Sequence, residues 1–254
     1  MKTIVLANMK GGTGKSTTCY ALATGLYHKG KSVLIVDADP QGNVSDTAEV
    51  NVLEVPTLQD VFDGRVTAAD AVQTIRVGGL SLLTAGLEMI TADKRYSGFT
   101  DIFRLKQALE TVQTDYDYCI IDTSPYPGML TTSALIAADA CIIPMTADKY
   151  SLKGVEQMQG ILENVRDIHC NPDLKIAGLL ITMYNYRTVL SKSIEDSIQA
   201  LAASMGTKVY KARIRRTQSI QDSQMLQEDI YTESGKAVDD YRAFVDEFIK
   251  DMEG

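Results

Sequence analysis

Residues 8 to 17 read NMKGGTGKST, where three glycines, two lysines and adjacent hydroxyls fall within ten positions. Glycine lets a backbone turn tightly and approach an anion closely, and a helix that starts nearby points its N–H groups at the same spot. That chemistry suits a polyphosphate. The stretch nearly matches the phosphate-loop pattern G-x-x-x-x-G-K-[ST], with Met9 where the first glycine belongs and with an additional lysine, Lys10. On that pattern Gly11, Gly12, Thr13, Gly14, Lys15, Ser16 and Thr17 bind nucleotide. Lys15 sits on the β- and γ-phosphates and the Ser16 hydroxyl ligates Mg²⁺. Lys10 is either a solvated side chain or a group that reaches a neighbouring subunit's phosphates. In the second case it neutralises charge developing during hydrolysis, and fingers supplied in trans to related GTPases are worth about 10³–10⁵ in rate.

Two acidic stretches complete the chemistry. VDADPQGN (36–43) places Asp37 and Asp39 at the end of an apolar run. A carboxylate at the C-terminal edge of a strand beside a phosphate loop can orient water or Mg²⁺. YDYCIIDTSPYPG (116–128) ends a second apolar run in Asp122, which fits a carboxylate holding Mg²⁺ through water. Pro125, Pro127 and Gly128 follow and shape a loop suited to sensing the terminal phosphate.

The elements that must position these residues are legible as patterns. TIVLA (3–7), SVLIVDAD (32–39), YCIID (118–122), ACIIPM (140–145) and KIAGLLIT (175–182) read as parallel strands covered on both faces. Helical periodicity runs through 15–29, with Cys19, Leu22, Ala23 and Leu26 on one face and Gly30 as the stop. It recurs through 101–112, in a helix capped by Ser151, and in a last helix at about 234–252. Strands alternating with helices predict an α/β fold: a doubly wound, mostly parallel sheet with helices on both faces. No composition break divides the chain, so one domain over 1–254 is expected.

At 254 residues, 45% hydrophobic and 23% charged, the chain can bury a full core. No apolar stretch approaches the roughly 20 residues that cross a bilayer, and the apolar run at the start is too short for a secretory signal. Cys19, Cys119, Cys141 and Cys170 are widely spaced and read as reduced core residues of a cytoplasmic protein. The net charge of −8 excludes a chain that coats nucleic acid with its whole surface. Residues 207–216 nevertheless hold five bases and no acid, whereas 222–254 hold ten acids and three bases, a split that permits a local basic patch.

KGGTGKST resembles the deviant Walker A box of the ParA/MinD family of ATPases, whose additional lysine defines the group and whose ParA/Soj branch commonly lacks the glycine replaced here by Met9. DADPQGN resembles the family's water-polarising box, which implies Asp39 for that role, Asp37 in the magnesium water shell and Asp122 as a metal-side carboxylate. The likeness continues through DTSPYPGMLTTSALIAADACIIPM and NPDLKIAGLLITMYNYRT, nearly the whole chain. It implies ATP with Mg²⁺, an ATP-bound homodimer, a ParB-like activator and a nucleoid-associated cytoplasmic protein. Adenine would be held around Met183 and 214–217, including Arg216.

Departures from the family pattern bear on DNA. Members often read I-P-R-N-V-R-L where this chain has IRRTQSI (214–220), so Ser219 stands at a usual arginine and Arg215 at a proline. Non-specific DNA contacts are therefore expected from Arg187, Arg213, Arg215 and Arg216, with Lys208 and Lys211 able to compensate. The chain opens directly on its first strand, so operator binding is not expected. Two other readings stay open. A MinD-like membrane switch would want a basic amphipathic C-terminal helix, and this one is acidic. A small-molecule ATP-dependent ligase would share the fold, though not the Lys10 pattern.

Overall fold

The computed structural model of the chain describes every residue except 76–79, 169, 186–191, 218–228 and 233. Its strands are β1 Lys2–Leu6, β2 Val33–Ala38, β3 Gln73–Thr74, β4 Ser81–Thr84, β5 Tyr118–Thr123, β6 Ala140–Thr146, β7 Lys175–Tyr184 and β8 Val209–Arg215. They form one sheet in the order β3-β4-β2-β5-β1-β6-β7-β8, parallel throughout except for the short β3–β4 pair at one edge.

Ten helices belong to the described residues: α1 Lys15–His28, α2 Asn43–Thr47, α3 Leu58–Phe62, α4 Ala68–Ala71, α5 Ala92–Arg95, α6 Arg104–Glu110, α7 Met129–Ala137, α8 Lys149–Asp167, α9 Lys192–Ser204 and α10 Lys236–Glu253. Alternate strand residues feed two cores. Ile4, Leu6, Ile35, Ile120 and Ile142 pack with Leu22 and Leu26 of α1 and with Tyr241, Phe244 and Phe248 of α10. Val5, Val36, Ile121 and Ile143 pack with Leu105, Leu135, Val155, Leu162 and Ile198, from α6 to α9. Each such aliphatic side chain removed from water contributes about 1.5–3 kcal/mol, which is why the central strands are apolar on both faces. The doubly wound α/β class is as expected.

The local signals hold at α1 and differ at α8. Gly30, at φ +79°, donates to Tyr27 O while Lys31 donates to Leu26 O, the paired bonds that close a helix on a left-handed residue. For α8 the sequence points to Ser151 as the cap, but Asp148 holds that place. Its carboxylate accepts the N–H groups of Tyr150 and Ser151 at 2.9 Å each.

The basic run at 207–216 is the largest difference. It forms β8, with Tyr210 and Ile214 buried, and α10 lies across it. Glu247 accepts the N–H groups of Lys211 and Ala212, and Asp240 accepts that of Arg215, so acids on α10 satisfy backbone donors that an edge strand leaves unpaired. Lys208 pairs with Glu247 and Asp251, Arg215 with Asp240 and Arg213 with Glu195. Three of the five bases are therefore paired within the chain, while Lys211 and Arg216 stay exposed. The apolar stripe of α10 is likewise in the core.

Candidate functional site

β1 lies between β5 and β6, where the strand order reverses and a crevice opens beyond the carboxyl ends of the strands. The loop that leaves β1 enters that crevice and becomes α1. Gly12 and Gly14 turn it at φ +71° and +80°, values a side chain strongly disfavours. Thr182 on β7 donates its hydroxyl to Thr13 O at 2.7 Å, and Asn8 accepts the Lys10 N–H at 2.9 Å while donating to Pro144 O at 2.8 Å. The loop is thus pinned on both sides. No side chain caps α1, so its first N–H groups remain available to an anion.

A cleft of about 750 Å³ sits over this helix end. Gly11, Gly12, Thr13, Gly14, Lys15, Ser16 and Thr17 line it together with Asp39, Pro125 and Met183, as the sequence predicts. Met183 holds a left-handed backbone (φ +50°), a conformation concentrated at functional positions. Gln41, Asn43, Asp46 and Thr47 also line the cleft and carry no warning in the sequence beyond their place after Asp39.

Register brings the acids together. Asp37 on β2 is the direct neighbour of Asp122 on β5, and Leu6 of β1 is the neighbour of Asp122 on its other side. Both carboxylates are fully buried. Asp37 accepts the Ser45 N–H at 2.8 Å and the Ser45 hydroxyl at 2.7 Å, which ties β2 to α2. Burial outweighs those bonds and pushes its pKa up to about 6. Asp122 is different: neither of its oxygens has a hydrogen bond of ordinary geometry, and the Ser16 hydroxyl is the donor nearest to it. Burial first, and then the charge of Asp37, push it well above the usual carboxylate range, while Ser16 and Lys15 oppose the shift. An orphaned buried carboxylate facing a helix N-terminus is what a cation site looks like before its cation arrives. Asp37, expected in the metal's water shell, already has its donors, so Asp122 with Ser16 is the better-fitted pair.

No three acidic, histidine or cysteine side chains among the described residues cluster to hold a metal by themselves. The donor set therefore fits Mg²⁺, which takes one or two protein groups and completes its shell with phosphate oxygens and water. Lys15 is buried, which lowers its pKa, and Asp122 and Asp39 counter that effect. Asp39 lies just past β2 and accepts the Gln41 N–H at 3.0 Å.

The second lysine and the switch-like loop have partners that sequence reasoning missed. Lys10 forms an ion pair with Asp148 at 2.9 Å. Asp93 of α5 accepts the Met129 N–H at 2.5 Å and fixes the loop 124–128 to the start of α7. Of the residues expected to touch DNA, Arg187 lies outside the described residues. Arg216 is exposed at the end of β8, with its N–H on Tyr184 O. Arg213 and Arg215 are engaged by Glu195 and Asp240, because α9 and α10 fold against β8.

The AAA domain family model matches residues 1–176. The chain is 37% identical over 219 residues to the sporulation initiation inhibitor protein Soj of Bacillus subtilis, which spans 85% of this chain and 84% of that protein. It is 34% identical over 227 residues to the chromosome partitioning protein ParA of Caulobacter vibrioides, with 88% and 84% covered. Among solved structures, the cobyrinic acid a,c-diamide synthase of Mycobacterium smegmatis with bound ADP and magnesium matches with a TM-score of 0.85 at 28% identity, over 100% of this chain and 96% of that one. Phosphate loop, paired strand-end acids and relatives agree: the chain is a P-loop ATPase and belongs to the ParA/Soj family of partition ATPases.

Proposed function

We propose that the chain is an ATP-driven partition switch that pairs with a second copy over two Mg²⁺·ATP, holds DNA without sequence preference while paired, and is discharged by a ParB-like activator. The observation that carries the proposal is the buried pair Asp37–Asp122 beside an uncapped helix end, with Asp122 short of a well-formed hydrogen bond and Ser16 next to it.

Bound Mg²⁺ would neutralise oxygens of the β- and γ-phosphates as charge shifts between them. The chain's own residues do the rest. The loop N–H groups and Lys15 hold the phosphates, Ser16 and Asp122 orient the metal's shell, and Asp39 accepts hydrogen bonds from the attacking water. Pro125 and Met183 line the cleft beside the loop. Lys10 acts on the partner's phosphates, so the complete charge set exists only in the dimer and basal turnover is slow.

DNA binding rests on Arg216 and Arg187, with Arg213 and Arg215 contributing when they exchange their intrachain acids. Affinity should fall steeply with salt, by a log–log slope of about −0.9 for each phosphate neutralised. Such a switch works on the nucleoid in the cytoplasm. The burial of the apolar stripe of α10 supports DNA over a bilayer as its surface.

The test is Asp39→Ala with ATP, followed by sedimentation and by phosphate release. A stable dimer that retains ATP is the expected result. A monomer with unchanged turnover overturns the proposal.

A further inference from the structure

Lys10 has a resting place. Its ammonium lies 3.0 and 2.9 Å from the two carboxylate oxygens of Asp148 and 3.1 Å from the Thr146 hydroxyl. A lysine has three N–H donors. All three are matched here by acceptors of its own chain, so none is left for a phosphate.

The resting place is built into the fold. Thr146 donates its hydroxyl to Asp148 at 2.5 Å, which fixes the carboxylate. Asp148 also caps α8 through the N–H groups of Tyr150 and Ser151. One turn further on, Gly154 lets α8 approach the loop. A Cβ there would stand 2.9 Å from the Asn8 side-chain oxygen and 3.0 Å from Lys10 Cβ. α8 therefore presses its first turns against the loop that carries Lys10. When the ammonium departs, Asp148 keeps the Thr146 hydroxyl, two backbone donors and the positive end of the helix, so the vacated site stays compensated.

We propose that Asp148 is a positioning residue that parks the Lys10 ammonium on its own subunit, and that this contact must open before Lys10 can serve a partner, which sets the ATP concentration at which two chains pair. The proposal rests on the reading of Lys10 as a group that acts across a dimer. A half-exposed ion pair of this kind restrains a lysine by about two- to fivefold. Pairing frees two lysines, so the effect on the dimer association constant is roughly four- to twenty-fivefold.

The experiment is sedimentation of the full chain with Mg²⁺ and a slowly hydrolysed ATP analogue, titrated to the midpoint of pairing. Asp148→Asn keeps an oxygen that caps a helix as well as aspartate does but removes the charge. Asp148→Glu keeps the charge. Parking predicts that the asparagine variant pairs at several-fold lower nucleotide and that the glutamate variant stays near wild type. An unchanged midpoint for asparagine overturns the proposal. So does an equal shift in both variants, because that ordering tracks shape and not charge. If the asparagine variant does not fold, Thr146→Val removes one of the three acceptors and leaves the cap. It should lower the midpoint by a smaller factor, and no change there refutes parking. Lys10→Ala reports separately on the underlying reading: it should fail to pair, and wild-type pairing by that variant would remove the trans lysine itself.

Discussion

Replacing Asp122 with asparagine should stabilise the nucleotide-free protein at neutral pH and abolish most of its response to Mg²⁺·ATP. The wild-type carboxylate is fully buried without a well-formed hydrogen bond to either oxygen, and it neighbours Asp37 across the β2–β5 ladder. An ion in that position costs several kcal/mol after relaxation, whereas a buried amide with unmet hydrogen bonds costs about 1–3 kcal/mol. The net gain is roughly 1–3 kcal/mol, at about 2–4 °C in Tm for each kcal/mol in a chain of this length.

The pH dependence supplies a second handle. Burial raises both carboxylates, so the folded state holds their protons at pH values where the unfolded chain has released them. For Asp37, raised from 3.8 to about 6, the stability gained is complete below the lower value and lost as pH climbs through the upper one. The two-unit shift corresponds to about 3 kcal/mol. Asp122 shifts in the same direction, so the advantage of Asp122→Asn over wild type should be small near pH 4.5 and widen towards pH 8. Thermal melts in EDTA across that range measure it. A variant that melts below wild type at pH 8, or at a fixed interval from it throughout, refutes the account of Asp122 as an uncompensated ion. With nucleotide at 100 times its Kd, wild type should gain about 2.7 kcal/mol and the variant little.

Gly14→Ala forces a left-handed residue to carry a Cβ, at about 1–2 kcal/mol, while Thr182 at 3.8 Å leaves room for the methyl. Calorimetry should therefore show nucleotide binding weakened through a distorted loop, with the fold intact. Arg215→Ala should lower Tm, because it leaves Asp240, whose side chain is only 10% exposed, with the backbone N–H of position 215 but without its countercharge, at roughly 1–3 kcal/mol. Arg216→Ala should leave Tm within a degree or so and weaken DNA retention by the ATP-bound protein in a filter-binding assay. The opposite ranking of those two arginines would mean that β8 and α10 part on DNA.

Much of the architecture was visible in residue order because its determinants are local. A strand buried on both faces must be apolar throughout, so TIVL, VLIV, YCII and CIIP declare themselves. A phosphate loop needs glycines at fixed offsets from a lysine. Asp39 and Asp122 could be read because strand ends beside such a loop point into one crevice. What escaped depends on contacts between distant segments. KVYKARIR alternates charge with Tyr210, Ala212 and Ile214, and only the fold shows that acids of α9 and α10 pair with Lys208, Arg213 and Arg215. Asp148 and Ser151 compete as caps, and the winner is the one that Thr146 and Lys10 also hold. Asp93 is 36 residues from the helix end it fixes, a separation no periodicity reports.

The burial of α1 divides the molecule into fixed and movable parts. From Thr18 to Leu26 every residue of that helix is buried, with Thr18 on Tyr241 and with Gly25 so close to Tyr231 and Val245 that no larger residue fits. A helix packed on all sides resists sliding, so an unchanged phosphate grip before and after hydrolysis is the expectation. Sensing the lost phosphate must fall to what hangs on few anchors: the five-residue α2 on Asp37, the loop 124–128 on Asp93, and the start of α8 with its borrowed lysine. Those three anchors are all aspartates, so a single charge-removing substitution reaches each of them.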